Sequence, residues 1–186
     1  MRRLAASLLV AASLAAGCGT PVAAAPPPDV DGCAGSHTRP DAAAARELRA
    51  AILCLLNAER ARHALRPLVE DPALRAAADR HSADMAGRDY FEHRSPEGIE
   101  PWMRIAASGY RADLVGENLA WGEEEEGTPA HALELWRRSP GHRANMLEPR
   151  YTQIGIGLAF DAPEAGRDLP AAIYTTTFGS AAVADA

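Results

Sequence analysis

The feature that most narrows the possible folds is a change of hydrophobic period near the C-terminal end of the chain. From Gln153 to Phe160, bulky apolar residues alternate with Gly or Ala. Successive side chains of a strand point to opposite faces, so this segment predicts a β-strand with one bulky face and one small face. The small face allows a second layer of structure to approach closely.

Earlier segments have helical spacing instead. Behind Asp41, a good N-cap residue, apolar residues recur every three or four positions and predict a helix over 42–63. A short helix is expected over 100–108. Three further helix starts are indicated by a capping residue followed by proline, at Asp71-Pro72, Thr128-Pro129 and Ser139-Pro140.

A second strand is predicted over 171–178, and it could pair with 153–160 as an antiparallel hairpin. Helices early and strands late in the chain favour an α+β fold over a doubly wound nucleotide-binding fold.

The first residues are typical of an export signal. A positive start at Met1-Arg2-Arg3 precedes an apolar run from Leu4 to Ala16 that is too short to span a bilayer. The run ends in Ala15-Ala16-Gly17-Cys18, which resembles a lipobox and predicts lipidation of Cys18. Ordinary secretion with cleavage near residues 23–25 is the alternative. We therefore expect a signal peptide over 1–17, a Pro/Ala-rich tether over 18–40 and one domain over 41–186.

The cysteine count fits export. If Cys18 carries lipid, Cys33 and Cys54 remain as an even pair in an oxidising compartment, and we predict a disulfide between them. Such a bond would hold the N-terminal segment on the first helix. The alternative leaves Cys54 as a buried free thiol.

Charge excludes several functions. The 19 basic residues are all Arg, and 25 acidic residues give a net charge of -6, so nucleic-acid binding is not expected. Without Lys, the chain can form neither a Schiff base nor a P-loop.

Three segments concentrate residues that packing alone does not require. They are Tyr90 to Pro96, Gly116 to Ala120 and Ser139 to Leu147. These segments resemble the CAP superfamily of SCP-like proteins. Further matching residues occur along the chain in the order that the family has them, and they are Leu56-Asn57-Ala58-Glu59-Arg60, Trp136, Gly155 and Phe178-Gly179. The resemblance covers residues 50–179 and is strongest to short bacterial members. It implies a three-layer α-β-α sandwich with a central antiparallel sheet and a groove across one face.

The resemblance also implies a cluster of ligand-type side chains in that groove. His93, Glu117 and His142 match two His and one Glu of the family, whereas Ser139 stands where a second Glu is expected. Two imidazoles and one carboxylate could hold zinc or another divalent metal with an open coordination position. Alternatively, the three side chains brace the loops by hydrogen bonds.

Other candidates have plain structural explanations. His81 lies on an apolar helical stripe and is expected to be a core histidine. The Glu123–Glu126 run is expected to be solvated, with calcium binding as the alternative. Trp102, Trp121 and Trp136 are expected in the core or the groove wall, and Ser139 as an N-cap.

These observations favour an exported, lipid-anchored, monomeric binding protein over an enzyme. Its expected partner is a small apolar molecule, a lipid or a cell-envelope component, and its contact with a membrane would run only through lipid on Cys18. One alternative is a zinc-dependent hydrolase that uses His93, Glu117 and His142. The other is a passive envelope scaffold.

Overall fold

Helices and strands follow one another in the order that the spacing predicts, with two additional strands. The computed structural model describes residues 32–164, 166 and 168–180, so the predicted signal peptide and Cys18 lie outside the described residues. The described elements are α1 (Ala45–Arg62), β1 (Val69–Glu70), α2 (Pro72–Gly87), α3 (Pro101–Ala107), β2 (Val115–Glu123), α4 (Pro129–Arg138), α5 (Pro140–Met146), β3 (Gln153–Ala159) and β4 (Ala171–Gly179).

The four described strands form one sheet in the order β1-β3-β4-β2. Strands β3 and β4 pair antiparallel from Gln153 opposite Gly179 to Ala159 opposite Ile173, which confirms the predicted hairpin. Strand β2 pairs antiparallel with the other side of β4. The short β1 runs parallel to β3. Within the described chain, β2 therefore forms one edge of the sheet.

The two faces of β3 differ as the sequence predicts. Ile154, Ile156 and Leu158 pack into the largest core cluster, together with residues of α1 and α4. A Cβ atom added at Gly157 would lie 2.2 Å from the backbone of Ala78 in α2. Helix α2 thus lies directly on the small face, and the α+β sandwich of helix, sheet and helix is confirmed.

Strand β4 is buried at every position. Its hydroxyl groups are satisfied within the core: Ser82 of α2 donates to Thr175 Oγ1 at 2.8 Å, and Thr177 donates to the carbonyl of Leu74 at 3.0 Å. These bonds tie α2 to the centre of the sheet, since a buried hydroxyl without a partner is costly.

Helix starts follow the predicted local chemistry in two of three cases. Asp71 accepts hydrogen bonds from the amides of Ala73 and Leu74, and Thr128 accepts one from the amide of His131. Ser139 occupies the N-cap position of α5, but its side chain makes no capping hydrogen bond. Ser139 is therefore the N-cap residue of α5 by its place in the chain, as predicted, but its hydroxyl does not satisfy the first amides of the helix.

The Cys33–Cys54 disulfide is present, with a Cα–Cα distance of 5.7 Å, so the free-thiol alternative for Cys54 is wrong. It holds the segment before α1 on the domain, where Cys33, Ser36 and Pro40 are buried. The carbonyl of Ser36 accepts a hydrogen bond from the amide of Ala130. Residues 33–40 thus pack on the domain, whereas the sequence predicts a tether over this stretch. The difference arises because the disulfide and the buried Pro40 provide apolar contacts.

Candidate functional site

The candidate site is built around Glu117, whose side chain lies on the α2 side of edge strand β2. The sequence motif Gly116-Glu117-Asn118 suggests a turn, but the structure places all three residues in the strand, where Glu117 is opposite Thr177 of β4. Strand alternation then directs Asn118 to the opposite face. The Glu117 side chain is only 2% exposed.

Arg104 and His93 donate hydrogen bonds to the buried carboxylate of Glu117. Arg104 Nη2 of α3 donates to Oε2 at 2.8 Å and to Oε1 at 3.0 Å. His93 Nδ1 lies 2.9 Å from Oε1. Because an ionised carboxylate can only accept, we assign the proton to Nδ1 of His93. Such charge-assisted bonds are what a buried carboxylate needs.

His81 of α2 forms the floor of the cluster. Its Nε2 donates to the carbonyl of Glu92 at 3.0 Å and lies 4.0 Å from Glu117 Oε1. The other ring nitrogen, Nδ1, is buried and has no hydrogen-bond partner. Burial lowers the pKa of His81, against the opposing charge of Glu117. The imidazole is therefore held neutral, as a core histidine with one of its two nitrogens satisfied.

His142 reaches the same edge of the sheet from α5, in the other helical layer. Its ring centroid lies 6.2 Å from that of His93, which is 47% exposed. Burial lowers the pKa of His142, and the neighbouring His93 lowers it further. The structure thus brings His93, Glu117 and His142 to one edge of the sheet, and of these three described residues His93 and Glu117 share a hydrogen bond.

An amide network fixes α5 to β2 beneath His142. Asn118 Nδ2 donates to the carbonyl of His142 at 3.0 Å. Asn145 Nδ2 donates to the Asn118 side chain at 2.9 Å and to the carbonyl of Glu117 at 3.0 Å. Both asparagines lie in the segments singled out by sequence, yet their positioning role depends on a contact between residues 27 apart in the chain.

The prediction that His93, Glu117 and His142 hold a divalent metal stays a prediction. Among the described residues, no group of three or more His, Cys, Asp or Glu side chains is arranged to hold an ion. Both oxygens of Glu117 accept from the Arg104 guanidinium, which places a positive charge beside the carboxylate. No feature of the sequence indicates a role for Arg104, because its partner Glu117 lies 13 residues away on a strand and no local motif connects the two.

A cavity of about 500 Å³ opens beside the cluster, between α2 and the segment from Ser95 to Arg104. His81 and Arg104 belong to both the cavity wall and the Glu117 cluster, and Arg80 and Ile99 also line the cavity. Its volume lies in the range of small-molecule sites.

Large apolar side chains are exposed on the segment that forms one wall of this cavity, and of these Ile99 lines it. Ile99 is 38% exposed, Trp102 57% and Met103 47%. Trp102 is therefore not a core residue, because the first turn of α3 directs it to solvent. Trp136 is fully buried, and its indole donates to the carbonyl of Leu119, as expected for a core residue.

The acidic run has a structural role at one position. Residues Glu124–Gly127 form a short 3-10 helix after β2, and Glu125 pairs with Arg39 of the N-terminal segment. Across residues 32–164, 166 and 168–180, no three His, Cys, Asp or Glu side chains are arranged to hold an ion, and calcium binding by this run stays an alternative prediction.

Comparison with known proteins identifies relatives over most of this fold. A family model described as "Cysteine-rich secretory protein family" matches residues 53–175. Uncharacterized protein YkwD of Bacillus subtilis is 39% identical over 103 residues, which are 55% of this chain and 39% of that protein. Uncharacterized membrane protein YlbC of the same species is 35% identical over 107 residues, which are 58% of this chain and 30% of that protein. The matched segments thus cover well under half of the length of either relative.

Two solved structures share the fold. An extracellular protein containing a SCP domain from Bacillus anthracis has a TM-score of 0.59 and 28% identity, over 73% of this chain and 43% of that chain. An outer surface protein from Borrelia burgdorferi has a TM-score of 0.58 and 21% identity, over 68% of this chain and 86% of that chain. Across residues 32–164, 166 and 168–180, no helix has the length and apolarity needed to cross a bilayer.

Proposed function

The chain belongs to the cysteine-rich secretory protein family, also called CAP, and we propose that it is an exported binding protein for a small amphiphile. The ligand would place its apolar body against Ile99, Trp102 and Met103 and its polar end in the adjoining cavity. The observation that carries this proposal is the exposure of these three apolar side chains within five residues, on the segment whose Ile99 lines a cavity of about 500 Å³.

Exposed apolar side chains next to a cavity favour ligand binding because their removal from water is favourable. Burying apolar surface stabilises a complex by about 25 cal/mol per Å², and contiguous exposed apolar patches on a protein commonly mark interaction sites. Arg80, on the cavity wall, offers a positive charge to an anionic head group, whereas the carboxylates of Asp84 and Glu97 on the same wall are paired with Arg88. We therefore expect a fatty acid or a similar single-chain anionic amphiphile to bind better than its uncharged analogue.

The hydrolase alternative has less support. Its carboxylate would be Glu117, which is held by Arg104 in two hydrogen bonds and by His93 in a third. A general base needs a free lone pair within reach of the proton that it removes. We accordingly place binding before catalysis.

Export and lipid anchoring form the second part of the proposal. The family relatives include a protein described as extracellular and another described as an outer surface protein. A disulfide between Cys33 and Cys54 is consistent with an oxidising compartment. Labelling with radioactive palmitate should mark the wild-type chain and not Cys18→Ser. Equal labelling of the two proteins would remove the anchor from the proposal.

Binding can be tested by titrating the purified domain with dodecanoate and with dodecanol, following heat by calorimetry. We expect saturable binding of dodecanoate, weakened roughly tenfold by Trp102→Ser, which corresponds to about 1.4 kcal/mol. Leu135→Ser is the matched control, since Leu135 is an exposed apolar residue of α4. Absence of saturable binding, or equal weakening by both substitutions, would contradict the proposal.

A further inference from the structure

We propose that a cavity at the β1 edge of the sheet binds a small soluble phosphorylated polyol, with arginines for the phosphoryl group and Glu70 for the hydroxyl groups. Strands β1 and β2 are the two edges of the described sheet, so this cavity lies at the opposite edge from Glu117. The proposal is therefore independent of whether the cavity beside Glu117 binds an amphiphile.

The cavity lies between α1, α2 and β1 and has a volume of about 330 Å³, which is in the range of small-molecule sites. Four of its wall residues are spaced i, i+3, i+4 and i+7 on α1, so they lie on one face of that helix. Strand β1 and the start of α2 provide one residue each. The wall residues are Arg46, Arg49, Ala50, Leu53, Glu70 and Arg75.

Arg49 is the fixed cation of this wall. Its side chain is 17% exposed, and its Nε donates to the carbonyl of Ile156 at 3.1 Å. Its Nη2 donates to Asp79 Oδ1 at 2.6 Å. The remaining nitrogen, Nη1, makes no hydrogen bond within the described part of the chain. A guanidinium that is already held in place, with a nitrogen to spare, loses little side-chain entropy when it binds an anion.

Arg46 and Arg75 add positive charge that the fold does not neutralise. Arg75 is 47% exposed, and its Nε lies 3.4 Å from Asp79 Oδ2, so Arg75 and Arg49 share one carboxylate. Arg46 is exposed and forms no hydrogen bond or ion pair with any described residue. The three guanidinium groups outnumber the carboxylates of Asp79 and Glu70, in a chain whose net charge is -6. Because like charges repel one another, a bound anion would stabilise this arrangement.

The donors on the wall favour a phosphoryl group over a carboxylate. A phosphate monoester has three acceptor oxygens and about two negative charges, so it can engage several guanidinium groups at once. A carboxylate offers only two oxygens and one charge. The cavity should therefore prefer the phosphate ester.

Glu70 determines what the phosphoryl group is attached to. Its side chain is exposed and forms no hydrogen bond within residues 32–164, 166 and 168–180. An ionised carboxylate can only accept hydrogen bonds, so Glu70 disfavours a second anion and favours a hydroxyl donor. Ala50 and Leu53 provide apolar surface for a short carbon chain. A small polyol with a phosphoryl group at one end meets these requirements.

The experiment titrates the purified protein with glycerol 3-phosphate, inorganic phosphate and glycerol, following heat by calorimetry. We expect saturable binding of glycerol 3-phosphate, weaker binding of inorganic phosphate and no binding of glycerol. Arg46→Ala should raise the dissociation constant of glycerol 3-phosphate roughly tenfold and leave folding intact, because Arg46 has no partner among the described residues. Arg75→Ala is a second variant with the same expected effect. Arg143→Ala is the matched control, since Arg143 is exposed on α5.

Glu70→Ala tests the hydroxyl contact. Removing this negative charge favours both phosphate compounds, so the ratio of their two dissociation constants isolates the polyol part of the ligand. We expect the preference for glycerol 3-phosphate over inorganic phosphate to fall at least about threefold.

Four results would overturn the proposal. One is the absence of saturable glycerol 3-phosphate binding by the folded wild type, and another is equal weakening by Arg46→Ala and Arg143→Ala. Inorganic phosphate that binds as tightly as glycerol 3-phosphate would assign the cavity to a free anion instead. Cosedimentation with phosphatidylglycerol vesicles that Arg46→Ala reduces, without binding of the soluble ester, would assign it to a membrane head group.

Discussion

Arg60 is the residue whose replacement should most clearly expose how the site loops are held. Its side chain is fully buried at the end of α1, and its guanidinium donates to four backbone carbonyls at 2.8 to 3.0 Å. The acceptors belong to the loop after α1, to the last residue of α5 and to the segment between α5 and β3, and they are Arg66, Met146, Glu148 and Tyr151. Burial lowers the pKa of Arg60.

The size of the effect follows from the burial of these acceptors. In Arg60→Met the apolar stem is kept and all donors are lost. The bonds to Met146 and Tyr151 are buried, and leaving a buried acceptor unsatisfied costs about 1–3 kcal/mol each. The other two carbonyls are partly exposed, so water can replace the lost donor. We expect a loss of about 2–6 kcal/mol from a total stability of about 5–15 kcal/mol.

Urea unfolding followed by circular dichroism measures this loss. Arg60→Lys should fall between wild type and Arg60→Met, because an ammonium has fewer donors and lacks the planar fork. Arg138→Met is the control, since Arg138 is 76% exposed and pairs only within its own helix with Glu134. A loss below about 1 kcal/mol for Arg60→Met, or an equal loss for Arg138→Met, would refute the reasoning.

Three further predictions concern the frame around the site. Replacing Cys33 and Cys54 by Ser should lower stability by roughly 3 kcal/mol and the unfolding temperature by roughly 6–12 °C, measured by calorimetry without reductant; an unchanged unfolding temperature would contradict it. Burial lowers the pKa of His81 below its ordinary value of 6.5, so the unfolded chain binds a proton that the folded chain does not. The contribution of His81 should be complete above pH 6.5 and decline as the pH falls toward its folded-state pKa, and His81→Gln should remove that part of the slope in urea titrations at several pH values. Gly157→Ala should prevent close packing of α2 and destabilise by more than about 1 kcal/mol in urea, whereas Gly141→Ala, where an added Cβ meets nothing within 4 Å, should be tolerated.

Sequence reasoning succeeded where local chemistry decides the structure. Asp71 followed by Pro72 specifies a helix start through one side chain and one fixed backbone angle, and the helix begins there. The alternation in β3 likewise specifies which face receives α2, because Gly155 and Gly157 have no side chains to keep the helix away. The disulfide followed from counting cysteines.

It failed where distant residues decide. Gly116-Glu117-Asn118 has the composition of a turn, yet β4 supplies a hydrogen-bonding partner along the whole segment and makes it a strand. The carboxylate of Glu117 can then be buried because α3 brings Arg104 to it, a pairing that no spacing in the sequence encodes. Amino-acid type alone likewise favours the core for Trp102, which the structure exposes.

The position of β4 also affects how the chain can reach its native state. The last strand in chain order lies between β3 and β2, and β2 has β4 as its strand neighbour in the described sheet. A nascent polypeptide that stops before residue 171 thus lacks β4, the strand that joins β2 to β3. The strand pairing of Glu117 with Thr177 therefore forms only after synthesis has passed that point. Until that last strand is present, β2 and β3 have no common neighbour in the sheet.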